Sequence, residues 1–193
     1  MFLIQRPSMA DITRFLDASR ELPLSYGPIG IIGRTPAAGR FDEYITRVGS
    51  GPADFERARD ALMRFKQFDI GWVETFPRDA RAEPGTVVAV LIRHLGFWSL
   101  NGARVLYHIG ATGQRACGFA YGTLTNHAES GEELFDVFID GASGDIRYRI
   151  RAVSRPQSAL TWIGQPVVRV LQARFRRDSA SAMQRVTSDE SRP

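Results

Sequence analysis

Residues 145–186 read DIRYRIRAVSRPQSALTWIGQPVVRVLQARFRRDSASAMQRV and contain the two elements that decide the fold. In the first part of this stretch, apolar residues alternate with arginines from Ile146 to Ala152. Alternation with a period of two predicts a strand that has one face against a core and the other in water. The apolar face consists of Ile146, Tyr148, Ile150 and Ala152, and the opposite face consists of Arg147, Arg149 and Arg151.

The second part of the stretch is typical of a long amphipathic helix. Its apolar face consists of Ile163, Val167, Val170, Leu171, Phe175, Ala182 and Val186, while Arg169, Arg176, Arg177 and Arg185 lie mostly on the other face. We expect this helix to close the fold. The polar residues 187–193 are expected to form a frayed tail.

Upstream of this stretch, short apolar runs separated by turn residues predict an antiparallel meander. The predicted strands are Phe68–Phe76, Thr86–Leu95, Arg104–Gly110, Arg115–Leu124, Glu133–Asp140 and Asp145–Ser154. The turns between them are placed at Pro77–Gly85, Asn101-Gly102, Gly110–Gly113, Asn126–Gly131 and Gly141–Gly144. Consecutive strands that are joined in this way pair with their neighbours along the chain.

The N-terminal residues 1–24 predict a helical arm. Ser8 and Asp11 have the spacing of a capping box, in which each residue satisfies a backbone N–H of the first helical turn. Apolar residues then follow at helical spacing, and Pro23 ends the element.

A strand over Phe41–Val48 and a helix from Gly51 to about Lys66 precede the meander. A strand, a short helix, a meander and one long C-terminal helix form an α+β arrangement that resembles the helix-grip fold of START-like and Bet v 1-like proteins. The resemblance implies one domain over residues 25–186, in which a curved antiparallel sheet wraps around the C-terminal helix and an apolar ligand binds between them. The alternative is a packed α+β sandwich without a cavity.

Composition narrows the possible classes of function. The length of 193 residues suits one domain, and the single cysteine excludes a disulfide framework or a multi-cysteine metal cluster. The net charge is +4, but the arginines are spread along the chain and no nucleic-acid-binding motif accompanies them. No apolar run approaches the ~20 residues of a membrane-spanning helix. We therefore expect a cytoplasmic protein with no transmembrane segment, no nucleic-acid partner, no metal and no cofactor, and the oligomeric state stays open.

Residues 118–135, GFAYGTLTNHAESGEELF, carry the clearest motif of the chain. This segment is similar to the hallmark of the family called domain of unknown function 1990. Other segments share the resemblance, namely Tyr26-Gly27-Pro28-Ile29-Gly30, Gly49-Ser50-Gly51 with Phe55 and Ala58, and Ser154-Arg155-Pro156 with Gln172. The resemblance covers roughly residues 25–185 and implies no specific reaction, because the biochemical role of the family is unassigned.

The strand at the start of this motif presents two different faces. Alternation places Phe119, Tyr121 and Thr123 on one face, which we expect to line the cavity. The other face carries only small residues, Gly118, Ala120 and Gly122. Small residues allow a close approach to the sheet, and the C-terminal helix or a ligand is the expected neighbour.

The loop that follows gathers His127, Glu129, Glu132 and Glu133 within seven positions. A histidine beside carboxylates has the parts of a general acid–base pair, so His127, Glu129 and Glu132 are the candidate catalytic residues. The spacing matches no strong metal-binding motif. The alternative is a structural loop whose polar groups satisfy their own backbone, with Glu132 or Glu133 paired to an arginine such as Arg155.

Three hypotheses of function follow from these patterns. The first is a module that binds a small hydrophobic ligand through Tyr26, Phe119, Tyr121, Thr123, Glu133 and Arg155. The second is an enzyme on the same scaffold, in which His127 is the base for proton transfer, isomerisation, cyclisation or hydrolysis, with Glu129 or Glu132 as its partner. The third is a structural or interaction protein without a ligand.

Overall fold

A computed structural model describes residues 1–33, 40–110, 115–156 and 165–188. The strands are β1 (Phe2–Leu3), β2 (Arg40–Ser50), β3 (Val73–Phe76), β4 (Val87–Arg93), β5 (Trp98–Ile109), β6 (Ala116–Thr123), β7 (Glu129–Ile139) and β8 (Asp145–Pro156). The helices are α1 (Met9–Arg20), α2 (Gly51–Met63) and α3 (Gln165–Ser188), and short 3₁₀ turns lie at Ile31–Gly33 and Lys66–Phe68.

The strands form one antiparallel sheet in the order β2-β8-β7-β6-β5-β4-β3, and β1 pairs with β5. From β3 to β8 each strand pairs with the next one along the chain, as the predicted meander requires. The sheet curls into a half-barrel, and α2 and α3 lie on its concave face. This is the helix-grip arrangement that the order of elements predicts.

The concave face holds the main core. Phe55, Leu62 and other apolar residues of α2 pack with the second half of α3 against the larger side chains of β6, β7 and β8. The helix and the sheet are also joined by a hydrogen bond of 2.8 Å between the hydroxyls of Tyr148 and Ser179. This end of the half-barrel is therefore solidly packed.

The convex face is covered by the N-terminal part of the chain. Helix α1 begins at the predicted capping box of Ser8 and Asp11, and its Ile12 and Leu16 pack on β4 and β5. The segment 24–33, which contains the predicted Gly/Pro loop, packs on the adjacent strands through Ile32. The convex face is thus covered where α1 and the segment 24–33 pack on it.

Two expectations about the meander and its small residues are wrong. Asn101 and Gly102 do not form a turn but lie inside β5, because Asn101 binds the backbone N–H of Ala128 and Gly102 leaves room for Asn126. Gly122 faces Tyr26 and Leu24 on the convex side, so neither α3 nor the cavity is its neighbour.

The C-terminal helix departs from its predicted faces at two positions. Val170 is 67% exposed, although the apolar stripe includes it. Arg176 is half-buried and faces the sheet, where it approaches Asp42. The side chains of Ile163 and Val167 lie outside the described residues, as does the end of the predicted tail beyond residue 188. None of the described helices is long and apolar enough to cross a membrane.

Candidate functional site

A cavity of about 220 Å³ lies between the concave face of the sheet and the first half of α3. It exists because the inward-facing side chains become small toward one end of the strands. On β7 and β8 the series changes from Phe135 and Ile150 to Gly131, Ala152 and Ser154. Since the helix stays above all of them, the small residues leave a space that the large ones fill.

Most of the cavity wall is apolar. The helix contributes Leu171 and Phe175, and the sheet contributes Val73, Val90, Ile92 and Ile150. Phe68 closes the cavity on the side of the main core, where its ring lies 5.4 Å from Phe175 and 5.4 Å from Phe135 between ring centroids. Phe2, with about half of its surface exposed, lines the cavity as well, so the cavity reaches the protein surface beside it.

Glu133 is the acidic group at the centre of the sheet side of the cavity. Its Oε2 accepts a hydrogen bond of 2.6 Å from the Tyr121 hydroxyl, and the described residues donate none to Oε1. Burial raises the pKa of this carboxyl to about 7, because a charged carboxylate is poorly solvated among apolar side chains. The hydrogen bond from Tyr121 and the charge of Arg176 only partly oppose that effect.

Glu129 lies in the same wall and contacts the helix. The amide of Gln172 donates to its carboxylate at 3.1 Å and 3.3 Å. Burial, and to a smaller extent the charge of Asp42, raises the pKa of Glu129 above its usual range. Arg176 lies 3.7 Å from Asp42, and among the residues that the structure describes it is the arginine that lines the cavity.

His127 lines the cavity but is bonded to the backbone rather than to a carboxylate. Its Nδ1 lies 2.9 Å from the N–H of Glu129 and 3.0 Å from the carbonyl oxygen of the same residue. Burial lowers the pKa of His127 to about 4, so the ring is neutral at pH 7. In one tautomer Nδ1–H donates to the Glu129 carbonyl oxygen and Nε2 is unprotonated, and in the other Nδ1 accepts the Glu129 N–H and Nε2 carries the proton.

Glu132 points to the opposite face of the sheet, since consecutive strand residues alternate between faces. Its carboxylate accepts hydrogen bonds from the Tyr107 hydroxyl at 2.5 Å, the Tyr26 hydroxyl at 2.8 Å and the Gly30 N–H at 2.9 Å. The pKa values of Tyr26 and Tyr107 are raised, mainly by burial and to a smaller extent by the hydrogen bond to Glu132. These contacts tie the N-terminal motif to the central motif on the convex face, away from His127.

The remaining predicted site residues fall in different places. Thr123 lines the cavity, where its hydroxyl accepts the Gly131 N–H at 2.8 Å. Phe119 is fully buried in the main core beside Phe65. Tyr26 is on the convex face, and Arg155 is exposed at the end of β8. The described part of the cavity wall includes none of these last three.

Sequence reasoning missed several residues of the cavity wall. Phe175 has no motif around it, and helical spacing indicated only that it faces inward, whereas Trp72 was expected in the core or the pocket wall and lines the cavity. Gln172 belongs to the C-terminal motif and could have been proposed from it. Arg176 and Asp42 meet across the helix and the edge strand β2, a contact between positions that are far apart in the chain.

The described residues contain no group of three or more His, Cys, Asp or Glu side chains that could hold a metal ion. The described residues that line the cavity offer the carboxyls of Asp42, Glu129 and Glu133, the imidazoles of His94 and His127, the Tyr121 phenol, the amides of Asn101 and Gln172 and the Arg176 guanidinium. This set can hold hydrogen-bond donors and cations, and it can exchange a proton near neutral pH through Glu133.

Comparison with known proteins places the sequence in a family. The family model described as "Domain of unknown function (DUF1990)" matches residues 25–182. A UPF0548 protein of Deinococcus radiodurans is 35% identical over 199 residues, which cover 96% of this chain and 98% of that protein. A UPF0548 protein of Dictyostelium discoideum is 30% identical over 205 residues, which cover 95% of this chain and 94% of that protein.

Solved structures share the fold at low sequence identity. Truncated norcoclaurine synthase from Thalictrum flavum has a TM-score of 0.52 at 7% identity, covering 81% of this chain and 98% of that chain. A hypothetical protein from Helicobacter pylori has a TM-score of 0.50 at 9% identity, covering 76% of this chain and 86% of that chain. At such identities the likeness concerns the fold alone, which is the Bet v 1-like helix-grip fold.

Proposed function

The chain belongs to the DUF1990 family, and from that premise we propose that it binds a small, mostly apolar molecule in the cavity between its sheet and α3. The observation that carries the proposal is the cavity itself. Interiors of proteins are normally packed without spaces larger than a water molecule, so a space of about 220 Å³ is a departure that needs an occupant.

The size of the cavity limits the ligand. An apolar cavity of about 150 Å³ is sufficient for benzene. A space of about 220 Å³ therefore suits a molecule of roughly a dozen non-hydrogen atoms, such as a substituted bicyclic aromatic compound. The side chains of Phe68, Trp72 and Phe175 offer aromatic surfaces to such a ligand.

The arrangement around His127 supports binding rather than base catalysis by this histidine. Its Nδ1 is engaged with the backbone of Glu129 in either tautomer, and burial makes the ring a weak base by lowering its pKa to about 4. The two carboxylates proposed as its partners contact Gln172 and the tyrosines of the convex face instead. Nε2 can form a hydrogen bond with a ligand, as donor or acceptor according to the tautomer, which is a binding role.

The test combines a search for a natural ligand with a defined probe. Native mass spectrometry of freshly purified protein should show an additional small molecule. Titration with 1-naphthylmethanol, a neutral compound of suitable size, should give saturable binding by calorimetry. In ¹H–¹⁵N spectra, the amide shifts caused by the probe should map to strands β4 to β8 and the first half of α3.

A pair of variants separates cavity binding from adhesion to the surface. Ala152→Leu adds a larger side chain to the cavity wall and should reduce probe affinity at least tenfold. Ala173→Leu makes the same change on an exposed position of α3 and should leave the affinity unchanged. The proposal would be contradicted if the two variants had equal affinity for the probe, or if the wild-type protein showed no saturable binding of it.

A further inference from the structure

We propose that the ligand of this cavity is a hydrophobic amine, whose ammonium group binds the carboxylate of Glu133 while its apolar body occupies the space below α3. This inference rests on the proposed function and names the chemical class of the ligand. It follows from the position of Glu133, from the balance of charge around it and from the donors that its neighbours already engage.

The position of Glu133 gives a cation a direct site. Strand β7 directs the carboxyl of Glu133 into the cavity, between Ala152 of β8 and Tyr121 of β6. Tyr121 donates to Oε2, no described residue donates to Oε1, and Glu133 lines the cavity. An ammonium group has three N–H donors and no acceptor, so it matches an open carboxylate oxygen.

The charges that face Glu133 favour a cation over an anion. The titratable and charged groups on the packed elements are Asp42 on β2, His94 after β4, Tyr121 on β6, His127 before β7, Glu129 on β7, Tyr148 on β8 and Arg176 on α3. His127 is neutral at pH 7, burial also lowers the pKa of His94, and Arg176 lies 3.7 Å from Asp42. The charge of Arg176 also acts on Glu133, but in the described cavity wall the three carboxyls of Asp42, Glu129 and Glu133 share this one guanidinium.

The remaining polar groups also fit this ligand class. Gln172 already donates to Glu129, and Tyr121 already donates to Glu133. An acidic ligand would therefore meet the carboxylates of Asp42, Glu129 and Glu133. An amine would supply the charge that the wall lacks and would displace the proton that Glu133 holds at lower pH.

The experiment compares two probes of nearly the same shape, 1-naphthylmethylamine and 1-naphthylmethanol, by calorimetric titration between pH 5.5 and pH 8. The amine should bind at least tenfold more tightly than the alcohol at pH 8. Because Glu133 must be ionised, the affinity for the amine should fall about 30-fold between pH 8 and pH 5.5. The affinity for the alcohol should stay nearly constant over the same range.

Two variants assign the effect to one carboxyl. Glu133→Gln keeps the size and an acceptor for Tyr121, and it should lower amine affinity to the level of the alcohol and remove the pH dependence. Glu43→Gln removes the same charge from the convex face, where Glu43 pairs with Arg151, and should change neither.

The outcomes distinguish this inference from the function on which it rests. If the amine and the alcohol bind equally at pH 8, and Glu133→Gln has no effect, the amine proposal is wrong while ligand binding stands. If neither probe binds the wild-type protein, ligand binding itself is contradicted.

Discussion

At the scale of single residues, Glu132 and Glu133 show how one step along a strand changes the role of a carboxyl group. Glu133 faces the cavity and contacts a single phenol. Glu132 faces the other side, where it is buried and accepts three hydrogen bonds. Because strand residues alternate between faces, adjacent glutamates serve two separate purposes, one in the cavity and one in holding the N-terminal motif.

The substitution Glu132→Gln tests the second purpose. The amide of glutamine replaces one acceptor oxygen by a donor, so Gly30 or one of the two tyrosines loses its acceptor. We expect the free energy of unfolding in urea to fall by about 2 kcal/mol, the cost of an unsatisfied buried group. Hydrogen exchange of the Gly30 amide should accelerate strongly. An unchanged exchange rate at Gly30 would show that the segment 24–33 is held by other contacts.

At the scale of elements, α1 is a layer of the fold rather than a loose appendage. Ile12 is 1% exposed and packs with Leu16 on the convex face of β4 and β5. Leu91 and Leu100 of these strands are fully buried beneath it. Removing the helix would expose them to water, so the helix and the sheet stabilise each other.

We therefore predict that Ile12→Ala lowers the free energy of unfolding by about 3 kcal/mol, as expected for a large-to-small change in a core. The loss should appear in a single cooperative transition, measured by circular dichroism and by tryptophan fluorescence. Met9→Ala changes an exposed position of the same helix and should cost less than about 0.5 kcal/mol. Separate transitions for helix and sheet would show instead that α1 detaches alone.

At the scale of the whole molecule, the cavity makes stability depend on pH in two opposite ways. The folded state binds the Glu133 proton more tightly than the unfolded chain, so this group makes the protein less stable as pH rises from about 4.5 to about 7. The folded state binds the His127 proton less tightly, so this group makes the protein more stable as pH rises from about 4 to about 6.5. The two effects oppose each other over most of that range.

Single substitutions should separate these effects. The free energy of unfolding of Glu133→Gln minus that of the wild-type protein should increase by about 2 to 3 kcal/mol as pH rises from 4.5 to 7. In His127→Asn the side-chain oxygen can accept the Glu129 N–H. The free energy of unfolding of this variant minus that of the wild-type protein should decrease by a similar amount as pH rises from 4 to 6.5. Urea unfolding at several pH values measures both differences. Parallel pH profiles for the wild-type protein and either variant would contradict the environment described for that residue.

Part of the candidate site was visible in the sequence, and part depended on contacts between distant positions. The alternation around Tyr121 predicted which side chains face inward, and the cluster after residue 124 pointed to His127 and Glu133. The pairing of His127 with a carboxylate was a hypothesis from proximity along the chain. In the structure, the neighbours of Glu129 and Glu132 come from α3 and from the segment 24–33.

The sequence by itself determined the order of the elements, the inward faces of the strands and the membership of the family. These properties depend on local periodicity, turn residues and motifs, which are written along the chain. The tertiary structure alone decided that a cavity exists and which charges surround it. A cavity depends on the sizes of side chains from several strands and one helix at the same height in the fold, and a pKa depends on the solvent and charges that those elements exclude or supply.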